Sequence, residues 1–513
     1  MKAKYILLAA AVAATMPLAA QETYENAKLM KGDLNGTARY VGMGGAMEAL
    51  GADISTISTN PAGIGLFRHS TATVSGGFVS QSGLNSGAEG DKTKMSFDQA
   101  GFVYSVRTDA KSYMNFAFNY HKSTNFDFIL HAADALSNAS ANKLTYQKWR
   151  NGLFDKSDGA YSQMDHLNVK GFNMAQDSAN YVANGYVLNR EHKGYIGDYD
   201  FNLSGNVNDR FFWGVTVGVK DVNYRHDGYY QEQIVSTTGT TPVRYTDRRE
   251  IDGTGFDVKL GFIVRPIADS PFRFGAYVQS PTWYDLTTKN YSTINGAVNN
   301  GSVNESYDYK ITTPWKFGFS LGHTIGNYLA LGATYEYADY GSSHTRVNDG
   351  VIDTWDPFYG PDSYESSHKD GAMDDHTSEV LKGVSTLKLG LEVKPVENFS
   401  IRCGYNYVSP MYDENGVKGV YNNGGYVFSN GTYYASTADY TNWKATNRFT
   451  FGLGYQLGKW NFDMAYQYSA TKGDFHPFAT YIDPKYESED NYAGAVEVKN
   501  DRSQMLFTIG YHF

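Results

Sequence analysis

The sequence has a single cysteine and, after its first residues, no long apolar run, and both absences restrict the fold. Cys403 has no partner in the chain, so an intrachain disulfide framework is excluded. Beyond the apolar run at residues 5–14, no segment approaches the roughly 18 apolar residues that a membrane helix needs. A membrane location would therefore require β-strands, in which half of the residues can be polar.

The chain also lacks an excess of positive charge and the usual enzyme motifs. Its formal net charge of -10 argues against a nucleic-acid partner. The glycines at 42–45 are not part of a βαβ unit, as a nucleotide loop would be, and the G-x-S-x-G pattern at residues 318–322 lies within an alternating strand rather than at a strand-to-helix turn. We predict a protein that is not an enzyme, without catalytic residues, metal or cofactor.

The first residues have the pattern of a secretory leader. Lys2 and Lys4 precede the apolar run, and small residues follow as far as Ala20. We expect a signal peptide over residues 1–20, cleaved after Ala20, which would direct the chain to the cell envelope.

Glycine and aromatic residues are abundant, with 53 Gly, 42 Tyr and 29 Phe. The last strand shows how they are arranged, because apolar and polar residues alternate with the period of a β-strand. Its apolar face carries Met505, Phe507, Ile509, Tyr511 and Phe513. The aromatic Phe513 is similar to the signal that barrel-assembly machinery recognises, so this strand predicts an outer-membrane barrel.

Similar alternation recurs in six hairpins with short, turn-forming connections. The connections lie at residues 107–111, 208–210, 265–271, 325–328, 394–398 and 458–459. With an opening strand near 69–80 and the closing strand at 505–513, the count is about fourteen strands. The prediction is an all-β fold, a transmembrane antiparallel β-barrel over residues 69–513.

The remaining connections are long and polar. They cover residues 81–97, 122–193, 225–250, 287–310, 341–383, 410–442 and 472–500. Long loops on one side place that side outside the cell, in contact with outer-membrane lipid and lipopolysaccharide. We expect short helices at 132–141 and 144–153, and adaptable binding surfaces in the aromatic loops 352–364 and 421–434.

Residues 21–68 show no alternation and are predicted to form a hatch inside the barrel. Fourteen strands enclose more space than their own side chains fill, so another segment must plug the lumen. We expect two turns of helix at 43–50, a turn or cap at Asp53 and Ser55, and a turn over residues 60–63.

This segment resembles the N-terminal hatch of the FadL/TodX family of outer-membrane transporters. The matching residues are Ala38, Arg39, Gly42, Met43, Gly44, Gly45, Ala46, Asp53, Ser55, Asn60, Pro61, Ala62 and Gly63, with a further match at 313–318. The resemblance implies a hatch within a fourteen-stranded barrel. It also implies passive transport of long-chain fatty acids or other hydrophobic small molecules, through loop capture, a lumenal pocket, hatch rearrangement and lateral exit.

A fatty-acid carboxylate needs a cation where water is scarce. Lys316 and Arg402 alternate with apolar neighbours and should point into the lumen, and Arg39 lies in the hatch. These three residues are the candidates for binding the carboxylate. The alternative is that they pair with lumenal carboxylates.

Two other functions remain open at this point. Some relatives of such barrels shuttle exported proteins in secretion, and the long tyrosine-rich loops would suit that role. A haem-binding receptor is the other possibility, with His121, His131, His166 and His192 around the longest connection.

Overall fold

The computed structural model describes residues 22–84, 87–154, 161–174, 180–237, 239–267, 269–356, 360–418, 421–422, 425–426, 435–482 and 490–513. The predicted signal peptide lies outside these residues, and so does most of the loop 421–434. None of the helices described there has the length and hydropathy of a membrane span.

Within these residues the helices are few and short. The α-helices are α1 (Thr23–Met30), α2 (Ala38–Gly42), α3 (Ala141–Arg150), α4 (Gln163–Gly171) and α5 (Gly371–Val380), and the 3-10 helices are Ile54–Ser58, Pro61–Leu66 and Tyr340–Ser342.

Strands make up most of the rest. They are β1 (Thr71–Ser82), β2 (Thr93–Asp109), β3 (Ser112–Asn125), β4 (Phe128–Ala139), β5 (Val182–Val207), β6 (Phe211–Ser236), β7 (Gly239–Val264), β8 (Arg273–Gln279), β9 (Trp283–Asn295), β10 (Gly301–Thr312), β11 (Lys316–Ile325), β12 (Leu329–Asp339), β13 (His344–Asp356), β14 (Gly360–Lys369), β15 (Gly383–Val396), β16 (Phe399–Val408), β17 (Tyr421–Asn422), β18 (Gly425–Tyr426), β19 (Tyr440–Leu457), β20 (Trp460–His476), β21 (Val496–Lys499) and β22 (Asp501–His512).

Fourteen of these strands close into an antiparallel barrel, which confirms the predicted fold. The order around the wall is β1, β2, β3, β5, β6, β7, β8, β11, β12, β15, β16, β19, β20 and β22. The last strand pairs with the first, from Thr71 opposite His512 to Ser82 opposite Asp501. All six predicted hairpins are present.

The barrel exterior is apolar and its interior is polar, as in transmembrane β-barrels. In β22, Met505, Phe507 and Ile509 are exposed on the outside, whereas Gln504 and Thr508 are buried inside. Other exposed apolar residues of the wall include Phe102, Phe116, Phe201, Leu260, Phe317, Phe319, Leu321, Leu389, Leu391, Phe449, Phe451 and Phe462.

Strands extend into the stretches predicted to be long loops, and residues 225–250 and 287–310 are mostly strand. β5, β6 and β7 are 26 residues long, whereas a membrane-crossing strand needs about 9–11 residues. They continue beyond the membrane-spanning part, where Tyr224 and Ile251 are buried inside and the outer face is polar, so the apolar lipid-facing row ends there. The loop predicted at 225–250 is therefore a long hairpin between β6 and β7.

Of the two helices predicted in the longest connection, the first is absent from the structure. Residues 132–141 lie mainly in β4, because pairing with β5 overrides the helical preference of alanine. The other helix is present as α3, three residues earlier than predicted at its start. Ser140 caps it by accepting a hydrogen bond from the Lys143 backbone N–H at 2.9 Å.

An apolar cluster closes the barrel at the end opposite the short turns, which we call the long-loop end. It packs α3 and α4 against the upper parts of the wall, and Phe475 and Phe478 are fully buried in it. A second cluster beneath it contains Leu29 and Met30 of α1.

Candidate functional site

Residues 22–68, hereafter the N-terminal segment, lie inside the barrel against its inner wall. The Ala38 backbone N–H donates to Thr508 Oγ1 at 2.7 Å, and Arg273 donates to the Leu50 carbonyl at 2.6 Å, from strands far apart around the wall. Most residues of the segment are buried.

Part of the wall against the segment is a row of four glycines on neighbouring strands. Gly322, Gly332, Gly390 and Gly404 face one another in register across β11, β12, β15 and β16. A Cβ atom at Gly332, Gly390 or Gly404 would overlap the backbone of residues 43–46. The glycine row thus lets the N-terminal segment lie directly against the sheet.

The predicted helix at 43–50 is wrong, because two of its glycines take the left-handed conformation. Gly44 and Gly45 have φ of 63° and 80°, which breaks the helix after α2 ends at Gly42. Residues 43–50 instead form turns that follow the glycine row. Gly42 itself lies against Gly452 of β19, where a Cβ atom would be 3.1 Å from the Gly452 Cα.

The Asn60 to Gly63 turn begins a 3-10 helix and contacts a different part of the wall. Asn60 caps the helix through the Ala62 N–H at 3.1 Å and donates to the Phe262 carbonyl at 3.3 Å. Pro61 packs on Gly214, and the Gly63 N–H donates to the Asn60 carbonyl at 3.0 Å. Asp53 caps the preceding 3-10 helix, as predicted.

Two of the three candidate cations share one lumenal carboxylate. Arg39 Nε lies 3.1 Å from Glu392 Oε2, and Arg402 Nε lies 2.6 Å from the same oxygen. Arg402 also pairs with Asp463 at 2.5 Å. Neither arginine lines the cavity described below.

Glu48 anchors the N-terminal segment to the wall, and sequence reasoning missed it. It is fully buried and accepts hydrogen bonds from Lys388 Nζ at 2.8 Å, Thr334 Oγ1 at 2.7 Å and Tyr40 OH at 3.1 Å. A charged residue in a segment without periodicity cannot be assigned to a face, so no sequence signal marked it.

A cavity of about 260 Å³ lies between residues 31–59 of the N-terminal segment, the barrel wall and the apolar cluster that includes α1. One part of its lining is apolar and aromatic: Leu29, Met30, Ile196, Tyr284, Tyr340, Val384, Val408, Met411, Tyr412 and Trp443. The charged part has the cations Lys31, Lys220, Lys259, Lys316, Lys388, Lys444, Arg448 and Arg502, and the carboxylates Asp33, Asp198 and Glu336. The cavity is amphipathic, with more cations than anions in its wall.

Lys316 is the one predicted cation that lines this cavity. Its side chain is 28% exposed and its Nζ lies 3.5 Å from Glu336 Oε1. Glu336 also accepts a hydrogen bond from Tyr277 OH at 2.7 Å, so it does not depend on Lys316 alone. Lys316 therefore has a loose ion pair and an accessible ammonium group.

Lys31 and Asp33 enter the cavity from the N-terminal segment just after α1, and neither was singled out from the sequence. Asp33 Oδ1 lies 3.1 Å from Arg502 Nη2 and 3.4 Å from Arg448 Nη2. Burial alone would raise the pKa of Asp33, but Arg502, Arg448 and Lys31 outweigh it and hold the pKa at about 2. Asp33 is thus ionised at neutral pH.

The four histidines considered for haem have separate surroundings. His121 lies 3.3 Å from Ser58 Oγ, and His166 lies 3.3 Å from the Tyr161 hydroxyl. His192 bonds to the Tyr224 hydroxyl at 2.8 Å, whereas His131 approaches Gly87. The described contacts show no pair of these rings facing a common space.

One cluster has the spacing of a metal site, since ligand atoms of His121, Asp198 and Asp200 lie within 4.8 Å of one another. Both carboxylates already pair with lysines, Asp198 with Lys220 and Asp200 with Lys259. A cation there would be repelled by two ammonium groups, so the cluster is better described as a lumenal charge network.

No protein-family model matches the chain, and no curated protein does. Solved structures similar to it include the Ralstonia pickettii toluene transporter TbuX, at 11% identity and a TM-score of 0.48, covering 94% of this chain and 99% of that one. The Pseudomonas putida toluene transporter TodX has the same values. A Pseudomonas aeruginosa FadL homologue has 11% identity and a TM-score of 0.47, covering 97% and 100%. The fold assignment above rests on the strand pairing.

Proposed function

We propose that this protein is a passive outer-membrane channel for hydrophobic small molecules, fatty acids among them. The observation that supports this most directly is the amphipathic cavity inside the closed barrel. A water-filled pore gives an apolar solute no favourable environment, whereas Met411, Tyr412 and Trp443 can cover an alkyl or aromatic group.

In this proposal the N-terminal segment is the hatch and the long-loop end is extracellular. The ligand would be captured there, enter the cavity, and leave sideways through the wall after the hatch rearranges. Diffusion suffices if the ligand favours one hatch arrangement over another. Gly42, Gly44, Gly45 and the Asn60 to Gly63 turn are the proposed gate, because they lie where the segment contacts the wall.

Of the three cations predicted to bind a carboxylate, Lys316 is the one that a ligand in the cavity can reach. Arg39 and Arg402 both pair with Glu392. If either arginine bound a ligand instead, the buried Glu392 carboxylate would lose one of its partners. Lys316 can turn towards a ligand while Glu336 keeps its bond from Tyr277.

Filling the cavity tests this function. Val408 is half-buried on the cavity wall at the end of β16, so Val408→Trp should occupy space that the ligand needs. We expect at least a roughly tenfold loss of radiolabelled fatty-acid uptake into cells that express the variant.

The matched control is Val396→Trp, since Val396 is 61% exposed and lies outside the cavity lining. Heat-modifiable gel mobility checks that both variants are folded barrels. Wild-type uptake by a folded Val408→Trp variant would contradict the assignment of this cavity to transport.

A further inference from the structure

The most unusual cation of the cavity is Lys31, because it has no counter-ion of its own. Lys31 directly follows the last residue of α1, and its side chain lines the cavity inside the barrel. Among the residues that the structure describes, none forms an ion pair with its ammonium group. Lys444, another lysine of the same lining, pairs with Asp474 at 2.8 Å.

The surroundings of Lys31 carry an unbalanced positive charge. Three cations meet there, namely Lys31, Arg448 and Arg502, and among the described residues Asp33 is the one carboxylate that pairs with the two arginines. Arg448 also donates to Asn406 Oδ1 at 2.9 Å, and Arg502 donates to the Asn125 carbonyl at 2.9 Å. These bonds hold both guanidinium groups in place whether or not Asp33 engages them.

We propose that Lys31, Arg448 and Arg502 form a subsite for the acidic head group of an amphiphile, and that the cavity therefore selects anionic ligands over neutral hydrocarbons. This inference rests on the proposed function and narrows its ligand class. The head group binds Lys31 directly and shares the two arginines with Asp33. The apolar chain lies along the side of the cavity that contains Leu29 and Met30, the last residues of α1 before Lys31.

The proposal assigns opposite effects to two neighbouring residues. Removing the Lys31 charge weakens the binding of an anionic ligand, because the ligand loses a bond to a charged group. Removing the Asp33 charge strengthens the binding of the same ligand, because Asp33 no longer competes with it for Arg448 and Arg502. A merely structural role would make both substitutions weaken binding.

The experiment measures binding of radiolabelled dodecanoate and dodecanol to the purified full-length barrel in a neutral maltoside detergent. These probes share an alkyl chain and differ in the acid group. We expect wild type to prefer dodecanoate roughly tenfold or more, Lys31→Met to abolish the preference, and Asp33→Asn to increase it. Lys472→Met is the control, because Lys472 pairs with Glu497 outside the cavity lining, and it should bind as wild type does.

The outcomes separate this inference from the proposed function. Equal binding of both probes by wild type would overturn the subsite and leave the transport function standing. Binding of neither probe would count against the transport function itself. Dodecyl phosphate in the same assay distinguishes a phosphate head group from a carboxylate. If it binds more tightly than dodecanoate, a dianionic head group fits the three cations better.

A pH dependence follows from the same geometry. Burial lowers the pKa of Lys31 to about 8, opposed by Asp33 and assisted by Arg502, Arg448 and Lys28. Lys31 is charged below that pH and loses its proton above it. Dodecanoate affinity should therefore be constant from pH 6 to 7.5 and fall between about pH 8 and 9.5, whereas dodecanol affinity should not change.

Lys31→Met should remove this pH dependence while leaving dodecanol binding intact. If the variant kept the same decline above pH 8, another group would be titrating and the assignment to Lys31 would be wrong.

Discussion

A Gly332→Ala substitution is expected to let small ions through a barrel that the N-terminal segment otherwise fills. A Cβ atom at this position would overlap the Ala46 carbonyl oxygen, and Leu50 Cδ1 would be 3.2 Å away. The wall cannot move aside, because Gly332 pairs with Gly322 on one side and Gly390 on the other. The N-terminal segment must yield instead.

The expected size of the effect follows from the cost of overpacking. Forcing one extra carbon into a packed contact costs about 1–3 kcal/mol, which would raise the unseated fraction of the segment roughly 5- to 150-fold. Single-channel conductance in planar bilayers measures this fraction as the frequency of open events.

Gly510→Ala provides the matched control. Gly510 also belongs to the barrel wall, but the atom nearest to an added Cβ atom would be Thr73 Cγ2, at an ordinary distance of 3.4 Å. We expect conductance like that of wild type. Closed behaviour in a folded Gly332→Ala barrel would show that contact with the glycine row does not hold the segment in place.

The barrel could be predicted from the sequence because its strands depend on interactions between residues that are close in sequence. In β22, lipid and lumen impose opposite polarities on successive residues, and the Gly458 and Lys459 turn fixes the register of β19 against β20. Beyond the membrane the polarity of the two faces reverses, since Tyr224 and Ile251 are buried inside whereas Arg225 and Glu250 lie on the outer face. The apolar, lipid-facing row that marks a membrane strand ends there, and the long hairpin was predicted as a loop.

The candidate site was predicted only in outline, for a different reason. Glycines and the Asn60 turn are recognisable because they have few alternative conformational roles. Lys31, Asp33 and Glu48 acquire their roles from strands hundreds of residues away, as the contacts of Asp33 with Arg448 and Arg502 show. Such pairs depend on how the segment is threaded through the barrel, which no local pattern encodes.

Loss of the Glu48 carboxylate should have the largest effect on how firmly the N-terminal segment is held. Glu48→Ala leaves Lys388 buried with only Glu336, at 3.8 Å, and leaves Thr334 without its acceptor. Removing one member of a buried ion pair costs about 3–5 kcal/mol, because the remaining charge stays desolvated. Local opening of residues 38–50 should become roughly 10²- to 10⁴-fold more frequent.

Hydrogen exchange of the backbone amides in the N-terminal segment measures this opening directly, while the amides of β19 and β20 report on the barrel. The control is the double variant Glu48→Leu with Lys388→Met, which removes both charges and refills the space with apolar side chains. Because no unpaired charge remains buried, it should open far less often than Glu48→Ala alone. If both variants opened equally, the hydrogen bonds to Tyr40 and Thr334, rather than the ion pair, would be what anchors the segment.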